Sequence, residues 1–285
     1  MILTTLRAQR GSAIATQHKT HKPKLGQNFL VSEAACRSIV EALGDLGTRT
    51  VVEIGPGKGA ITDLLVARAA RLVVIELDRE LAPRLRERYR DREHVTVIES
   101  DVLKVDLTEL APPQERLLMV GNLPYYLTSD ILLHLIAHEA SVERAVLMVQ
   151  REVADRVAAS PGSRDYGLLS VTAQLHARIE KLLTLPPGAF SPPPEVYSTV
   201  MRWTMASRVA ELGVEPAAFT QFLRGCFAQK RKTLSNNLRA AGIASEKVAE
   251  AFAATGIEPN TRAEALPIEA LAALWCNLKP GLSAI

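Results

Sequence analysis

The sequence Asn122-Leu123-Pro124-Tyr125 combines residue types that could present an aromatic amine for alkylation. The amino nitrogen of adenine is a poor nucleophile because its lone pair is delocalised into the ring. Hydrogen-bond acceptors on both amino hydrogens would free that lone pair, and the Asn122 side-chain oxygen and the Leu123 carbonyl are suitable. Pro124 fixes the turn and biases Leu123 to an extended conformation, while Tyr125 offers a face on which a base can stack. The motif predicts modification of an adenine amine, with a packed tight turn as the alternative interpretation.

Three further candidate residues follow successive apolar runs. The sequence GPGKG at residues 55–59 has the spacing GxGxG, which is neither the dinucleotide fingerprint nor a P-loop. A glycine turn built on Gly55 and Gly57 would let the backbone approach a ligand closely. Glu76, at the end of the next run, could accept two hydrogen bonds from a ribose diol, and Asp101 could accept one from an adenine amino group. Together they predict a nucleoside-binding site at the strand ends.

Short β-branched runs that alternate with helical stretches must position these residues. We predict strands at residues 48–54, 71–77, 94–100, 116–122 and 144–150, with helices at 61–69, 81–89 and 129–138. Several runs are apolar at consecutive positions, as is typical of strands buried on both faces of a parallel sheet. The alternation predicts an open, doubly wound α/β domain whose ligands bind at the carboxyl ends of the strands.

The pattern changes after Arg151. Two helical stretches precede a strand at residues 178–185, and a further strand is predicted at 196–203. Residues 185–200 hold five of the sixteen prolines, so we predict a rigid, exposed loop there. From about Ala206 only helical patterns follow. The predicted organisation is a disordered basic tail at 1–21, an α/β domain at 22–204 and a helical domain at 207–285.

Composition excludes several classes of protein. No apolar run approaches the length of a membrane span, and the N-terminal residues lack the apolar core of a secretory signal. Cys36, Cys226 and Cys276 are far apart, so we expect free thiols in a reducing compartment, the cytoplasm. Residues 1–24 carry five Lys and Arg and no acid, which fits either a nucleic-acid-facing arm or a solvated tail.

No nucleophilic Cys or Ser paired with a base is visible, nor any His cluster with metal-ligand spacing. Direct in-line transfer from a sulfonium donor requires neither a nucleophile nor a metal. It requires proximity, orientation and a desolvated pocket. We therefore expect no metal cofactor.

The chain closely resembles the KsgA/RsmA-type small-subunit ribosomal RNA adenine N6,N6-dimethyltransferase family, from about Lys22 to Leu278. The matching stretches are KLGQNFL (24–30), EIGPGKGAIT (53–62), IELD (75–78), SDVL (100–103), GNLPYYLTSDIL (121–132), MVQREVADR (148–156), PGSRDYGLLSV (161–171), FSPPPEVYST (190–199) and KRKTLSNNL (230–238). Ser191 and Tyr197 depart from the family pattern, where an aromatic residue and Asp are common. Both departures bear on the shape of the target pocket.

The resemblance implies a Rossmann-like class I S-adenosylmethionine methyltransferase domain with a seven-stranded, mostly parallel sheet, one strand reversed, and a small all-α C-terminal domain. It implies S-adenosyl-L-methionine as cofactor, with S-adenosyl-L-homocysteine as product. The implied cofactor-binding residues are Gln27, Asn28, Leu30, Gly55, Gly57, Glu76, Asp101 and Asn122. Phe190 would pack against the target base opposite Tyr125.

The implied substrate is 16S ribosomal RNA within the immature small subunit, where two adjacent adenines near the 3′ end would be dimethylated. Lys230, Arg231 and Lys232 end a predicted amphipathic helix and, by the resemblance, contact RNA phosphates. We expect a monomer with no membrane association.

Three other functions remain open from the residues alone. They are a methylase of 23S ribosomal RNA or DNA, a nucleotide oxidoreductase, and a non-enzymatic factor that recognises immature small subunits. The PGSRDYG and KRKTLSNNL stretches favour the small-subunit branch over the first of these. Binding of S-adenosylmethionine rather than NAD would exclude the second, and an Asn122→Ala variant would test the third.

Overall fold

A seven-stranded sheet lies at the centre of the protein. The structure is a computed structural model that describes residues 27–278. The tail predicted at residues 1–21 lies outside the described residues. The strands are β1 (Phe29–Leu30), β2 (Thr50–Ile54), β3 (Arg71–Glu76), β4 (Val95–Glu99), β5 (Leu117–Asn122), β6 (Val142–Gln150), β7 (Ala177–Leu185), β8 (Phe190–Ser191) and β9 (Ser198–Met205).

The strand order of the large sheet is β4-β3-β2-β5-β6-β9-β7. Every neighbouring pair from β4 to β6 is parallel, whereas β9 runs antiparallel to both β6 and β7. This is the predicted seven-stranded, mostly parallel sheet with one reversed strand. The parallel strands place the ends of β2, β3, β4 and β5 along one edge.

Helices cover both faces of this sheet. The α-helices within residues 27–278 are α1 (Glu33–Leu43), α2 (Thr62–Val66), α3 (Leu81–Arg88), α4 (Thr128–Ala137), α5 (Arg151–Val157), α6 (Leu168–His176), α7 (Val209–Leu212), α8 (Pro216–Cys226), α9 (Leu234–Ala240), α10 (Ser245–Thr255) and α11 (Ile268–Leu278), of which those before β9 pack on the sheet. Alternate residues of β2 separate into two cores: Val51 packs with α1 and α2, and Val52 packs with α4. Full burial of each such side chain contributes about 1.5–3 kcal/mol, which explains why the central strands are apolar at consecutive positions.

The helices after β9 have a core of their own. Phe219 and Leu223 of α8 are buried against Trp275 of α11, and the rings of Phe219 and Trp275 meet edge to face with centroids 5.9 Å apart. Pro216 begins α8, as the sequence predicts. Tyr166 and residues of α6 belong to the same core. The helical unit is therefore packed onto the α/β domain through α6.

The prediction of an exposed loop at residues 185–200 is wrong for its central part. Ala189 and Phe190 are buried, and Phe190–Ser191 pairs antiparallel with Phe29–Leu30 as a separate two-stranded ribbon. The backbone amide of Val31 also donates to the Ala189 carbonyl at 2.9 Å. The apolar side chains at 189 and 190 reach the core because this ribbon draws the loop inward.

The prediction that a helix ends at Lys230–Lys232 is also wrong. Helix α8 ends at Cys226, and the three cations lie in the connection to α9. The Asn237 side-chain amide donates to the carbonyls of Cys226 and Gln229 at 2.8 and 3.2 Å. Thr233 caps α9 by accepting from the Asn236 amide. These side-chain bonds stabilise a turn in place of a further helical turn.

Candidate nucleoside and methyl-transfer site

A deep cleft opens at the carboxyl ends of β2 to β5. Its empty volume is about 1080 Å³, including the part open to solvent. All eight predicted cofactor-binding residues line it: Gln27, Asn28, Leu30, Gly55, Gly57, Glu76, Asp101 and Asn122. The structure therefore brings together residues that are up to 95 positions apart in the chain.

The glycine loop begins directly after β2. Gly55 and Gly57 have φ angles of +63° and +58°, the left-handed region that favours glycine. A Cβ atom on Gly57 would lie 2.8 Å from the Phe29 ring, so β1 packs closely on the loop. The Lys58 ammonium lies 4.7 Å from the centroid of the same ring. Glycine at position 57 is thus required by both backbone conformation and space.

Glu76 fixes the opposite wall of the cleft. Its side chain is only 3% exposed and accepts from the backbone amides of Gly57 at 3.1 Å and Asp78 at 2.8 Å. Burial raises the pKa of Glu76, and these two amides lower it in part. Because a carboxylate offers about four acceptor positions, it can still accept from a diol. Asp101, at the next strand end, accepts from the Leu103 amide at 3.0 Å.

The Asn122 turn forms the third wall. The Asn122 side-chain amide nitrogen donates to the Asn28 carbonyl at 2.9 Å, so its oxygen is left as an acceptor. The Leu123 amide donates to the Met148 carbonyl, and the Pro124 carbonyl accepts from Leu127 and Thr128. Among residues 27–278, nothing donates to the Leu123 carbonyl. The turn therefore leaves the Asn122 side-chain oxygen and the Leu123 carbonyl without donors from residues 27–278.

The two predicted aromatic residues lie in different environments. Tyr125 lines the cleft, and its hydroxyl lies 3.0 Å from the Ser198 hydroxyl at the start of β9. Phe190 is only 4% exposed, pairs with Leu30 in the ribbon, and is not among the residues that line the cleft. In this conformation the structure does not bring Phe190 opposite Tyr125.

The three predicted RNA-binding cations are exposed and lie outside the cleft. The Lys230 ammonium donates to the Arg164 carbonyl at 2.8 Å, which ties the connection before α9 to the loop before α6. Arg231 and Lys232 make no ion pair within the described chain. The structure separates these cations from the residues that line the cleft.

Glu53 is a site residue that the sequence reasoning missed. It lies within β2, lines the cleft and is 1% exposed, and burial raises its pKa to about 8. The Thr62 hydroxyl lowers that pKa in part, and the charge of Glu76 raises it. The signal was present, because Glu53 is a single acid within the apolar run TVVEI. Lys58 and Phe29 were also missed, since an aromatic residue and a cation without periodicity carry no sequence signal.

Within the described part of the chain, no group of three or more His, Cys, Asp or Glu side chains could hold a metal ion. Cys36 and Cys226 are buried free thiols, and Cys276 is an exposed one.

Across residues 27–278, no helix combines the length and apolarity needed to cross a membrane.

Strand order and cleft together define the class I methyltransferase fold, a Rossmann-like sheet with a nucleoside site at its carboxyl edge. The ribosomal RNA adenine dimethylase family matches residues 18–278, and the chain belongs to that family. This membership confirms the predicted family, S-adenosylmethionine as methyl donor, and dimethylation of ribosomal RNA adenine as the reaction.

Relatives from two bacteria are similar over nearly their full length. Ribosomal RNA small subunit methyltransferase A of Acidobacterium capsulatum is 76% identical over 91% of this chain and 92% of its own. The protein of the same name from Koribacter versatilis is 51% identical over 91% of this chain and 95% of its own.

Solved structures show the same fold. A dimethyladenosine transferase from Plasmodium falciparum superposes with a TM-score of 0.76 at 22% identity, covering 88% of this chain and 98% of that one. The 23S rRNA methyltransferase ErmE superposes with a TM-score of 0.66 at 24% identity, covering 88% and 100%.

Proposed function

We propose that this chain transfers methyl groups from S-adenosyl-L-methionine to N6 of two adjacent adenines near the 3′ end of 16S ribosomal RNA in the immature small subunit. The observation that carries the proposal is that the Asn122 turn and the residues Gly55, Glu76 and Asp101 at the strand ends line one cleft. The relatives' name, small subunit methyltransferase A, supports the substrate. The reaction contributes to subunit biogenesis.

The residues of the cleft fit the cofactor. The backbone at Gly55 lies open, with the nearest contact of an added Cβ at 3.9 Å, which leaves room for a donor against the loop. Glu76 holds the ribose, Asp101 accepts from the adenine amine, and the segment Gln27, Asn28 and Leu30 covers the methionine end. When bound, the cofactor supplies an electrophilic methyl group.

Asn122 and Leu123 present the target. The Asn122 side-chain oxygen and the Leu123 carbonyl accept the two amino hydrogens of adenine, and Tyr125 stacks on the base. Each transfer forms an N6–C bond, breaks the S–C bond of the donor to leave S-adenosyl-L-homocysteine, and releases one amino proton to water. After the first transfer a single hydrogen remains on N6, and the same acceptors can bind it again. No dedicated general base is proposed, and Pro124 fixes the turn. Stacking by Phe190 stays a prediction that requires the ribbon to open.

The helical domain at 207–285 docks the RNA, with Lys230, Arg231 and Lys232 contacting phosphates. The exposed position of these cations, away from the cleft, supports a docking role distinct from the chemistry. We also propose a cytoplasmic monomer, which the buried free thiols of Cys36 and Cys226 suit.

Nucleoside mass spectrometry tests the proposal. Small subunits that lack adenine methylation are incubated with the protein and S-adenosylmethionine, and N6,N6-dimethyladenosine is quantified. We expect four methyl groups per subunit, in two adjacent residues of 16S ribosomal RNA. Large subunits and duplex DNA serve as matched controls. Equal methylation of either control, or no dimethyladenosine in small subunits, would contradict the proposal.

A further inference from the structure

Three exposed side chains belong to residues next to Tyr125 or Ser198 in sequence or in the strand ladder, and Tyr125 and Ser198 share a hydrogen bond. Tyr126, next to Tyr125, is 60% exposed, and Tyr197, next to Ser198, is 45% exposed. Arg151 is also exposed. We call Tyr126, Arg151 and Tyr197 the rim. Large exposed aromatic side chains beside a cleft indicate a binding surface.

The sheet places the rim at the same edge as the proposed methyl-transfer site. Arg151 directly follows β6 and Tyr197 directly precedes β9, and their strands pair with Gln150 opposite Ser198. The Arg151 backbone amide donates to the Tyr197 carbonyl at 2.9 Å. Strand β6 also pairs with β5, which ends at Asn122. The rim therefore continues the wall that Tyr125 begins.

Arg151 is held in place yet retains its charge. Its guanidinium carbon lies 5.1 Å from the centroid of the Tyr197 ring, a cation–π contact that fixes the plane of the guanidinium. It makes no ion pair with any carboxylate of residues 27–278, although Glu152 is adjacent in sequence. Arg202 of β9, the strand that pairs with β6, differs because its guanidinium forms an ion pair with Glu180. A positioned, uncompensated guanidinium suits a phosphate.

We propose that the rim binds the nucleotides that flank the target adenine, with Tyr126 stacking on a neighbouring base and Arg151, positioned by Tyr197, contacting a backbone phosphate. The inference rests on the proposed function. A base that leaves its stack to enter a pocket exposes the faces of its neighbours. An aromatic side chain and a cation at the pocket mouth bind such single-stranded nucleotides.

The test compares single substitutions in the full-length protein, with unmethylated small subunits as the probe. We expect Arg151→Gln and Tyr126→Ala each to raise the KM for small subunits about tenfold, with the dissociation constant for S-adenosylmethionine and the melting temperature unchanged. Tyr126→Phe keeps the ring and should retain the wild-type KM. Arg90→Ala, at an exposed arginine beyond α3, is the control and should change none of these three values.

Salt dependence identifies the partner. If Arg151 contacts phosphate, the slope of log affinity against log salt should fall by about 0.7 for Arg151→Gln, as for one contact on single-stranded RNA. Arg151→Lys should keep the slope. A KM change without a change in slope would overturn the phosphate contact and indicate a protein surface of the subunit. If the wild-type protein methylates small subunits but the KM is unchanged in all rim variants, this inference is wrong. If the wild-type protein does not methylate small subunits, the proposed function itself is wrong.

Discussion

Glu76 and Tyr126 line the same cleft but differ in burial and in hydrogen bonding. Glu76 is buried, and two backbone amides hold its carboxylate. Tyr126 is mostly exposed, and its hydroxyl has no hydrogen-bond partner within residues 27–278. The cofactor side is thus enclosed by the chain itself, whereas the target side presents ring faces to solvent.

This difference follows from the size of the two ligands. A nucleoside of fixed shape can be surrounded by preorganised groups, which lowers the entropic cost of binding. A folded RNA brings its own surface, so the protein needs only one wall and a few stacking side chains. The cofactor side should therefore respond to substitution through cofactor affinity, and the target side through turnover or RNA affinity.

The largest expected effect is on the target side. Asn122→Ala removes one of the two acceptors for the amine, so we expect the rate of methyl transfer to small subunits to fall by about 100-fold or more, as for loss of one preorganised polar group. Single-turnover assays measure this rate. Asn122→Asp, which keeps an acceptor oxygen and loses the amide that donates to the Asn28 carbonyl, is the matched variant and should retain more activity. A fall of less than tenfold for Asn122→Ala would show that Asn122 does not orient the amine.

On the cofactor side, Glu76→Gln should weaken S-adenosylmethionine binding by about 10- to 100-fold, since a neutral amide replaces charge-assisted acceptors. Isothermal titration calorimetry measures the dissociation constant. Glu99 is the matched control: it lies opposite Glu76 in the β3–β4 ladder, and its carboxylate pairs with Arg86. Equal weakening by Glu99→Gln would mean that charge near the sheet edge, and not a specific contact, determines affinity.

The effect of Glu53 on the stability of the fold depends on pH. Its folded-state pKa of about 8 lies above the ordinary value of 4.5, so the folded protein binds a proton that the unfolded chain releases. The contribution of Glu53 to the free energy of unfolding is therefore largest at low pH. It falls as the pH rises, by about 2 kcal/mol between pH 6 and pH 8. Glu53→Gln should remove this part of the pH dependence. Urea denaturation at pH 6 and pH 8 measures the free energy of unfolding of both proteins. If that free energy changes equally with pH in the wild type and in Glu53→Gln, Glu53 is not the group responsible.

The smallest expected effect concerns β1. Lys58→Met keeps an unbranched side chain one atom shorter but loses the charge above Phe29, a contact of about 0.5–1 kcal/mol. We expect the dissociation constant for S-adenosylmethionine to rise about two- to fivefold, because β1 covers the glycine loop. Lys247→Met on α10 is the control. If Lys58→Met changes the KM for small subunits and leaves cofactor affinity unchanged, Lys58 belongs to the target side.

The sequence predicted the parallel sheet and the residues at its strand ends because both follow from local rules. Apolar runs specify buried strands, and parallel strands bring their ends together, so Gly55, Glu76, Asp101 and Asn122 had to meet at one edge. The ribbon of Phe29–Leu30 with Phe190–Ser191 could not be predicted in this way. Two-residue strands have no periodicity, and their pairing depends on contacts far apart in the chain. The same reason hid the burial of Phe190.

The turn before α9 was missed for a related reason. The predicted amphipathic helix extended to Lys232, six residues beyond the end of α8 at Cys226. The helix ends at Cys226 because the Asn237 side chain, eleven residues later, binds the Cys226 carbonyl. A helix end fixed by a distant side chain leaves no local mark in the sequence.

The ribbon also sets the order in which a newly synthesised chain can complete its cleft. Phe29 and Leu30 leave the ribosome early, but their partners Phe190 and Ser191 follow roughly 160 residues later. By then the glycine loop, the strand-end carboxylates and the Asn122 turn have all emerged. A chain interrupted before Phe190 would contain these groups but lack the strand that pairs with Phe29–Leu30. The first segment of the site can therefore be fixed in place only after one of the last has been synthesised.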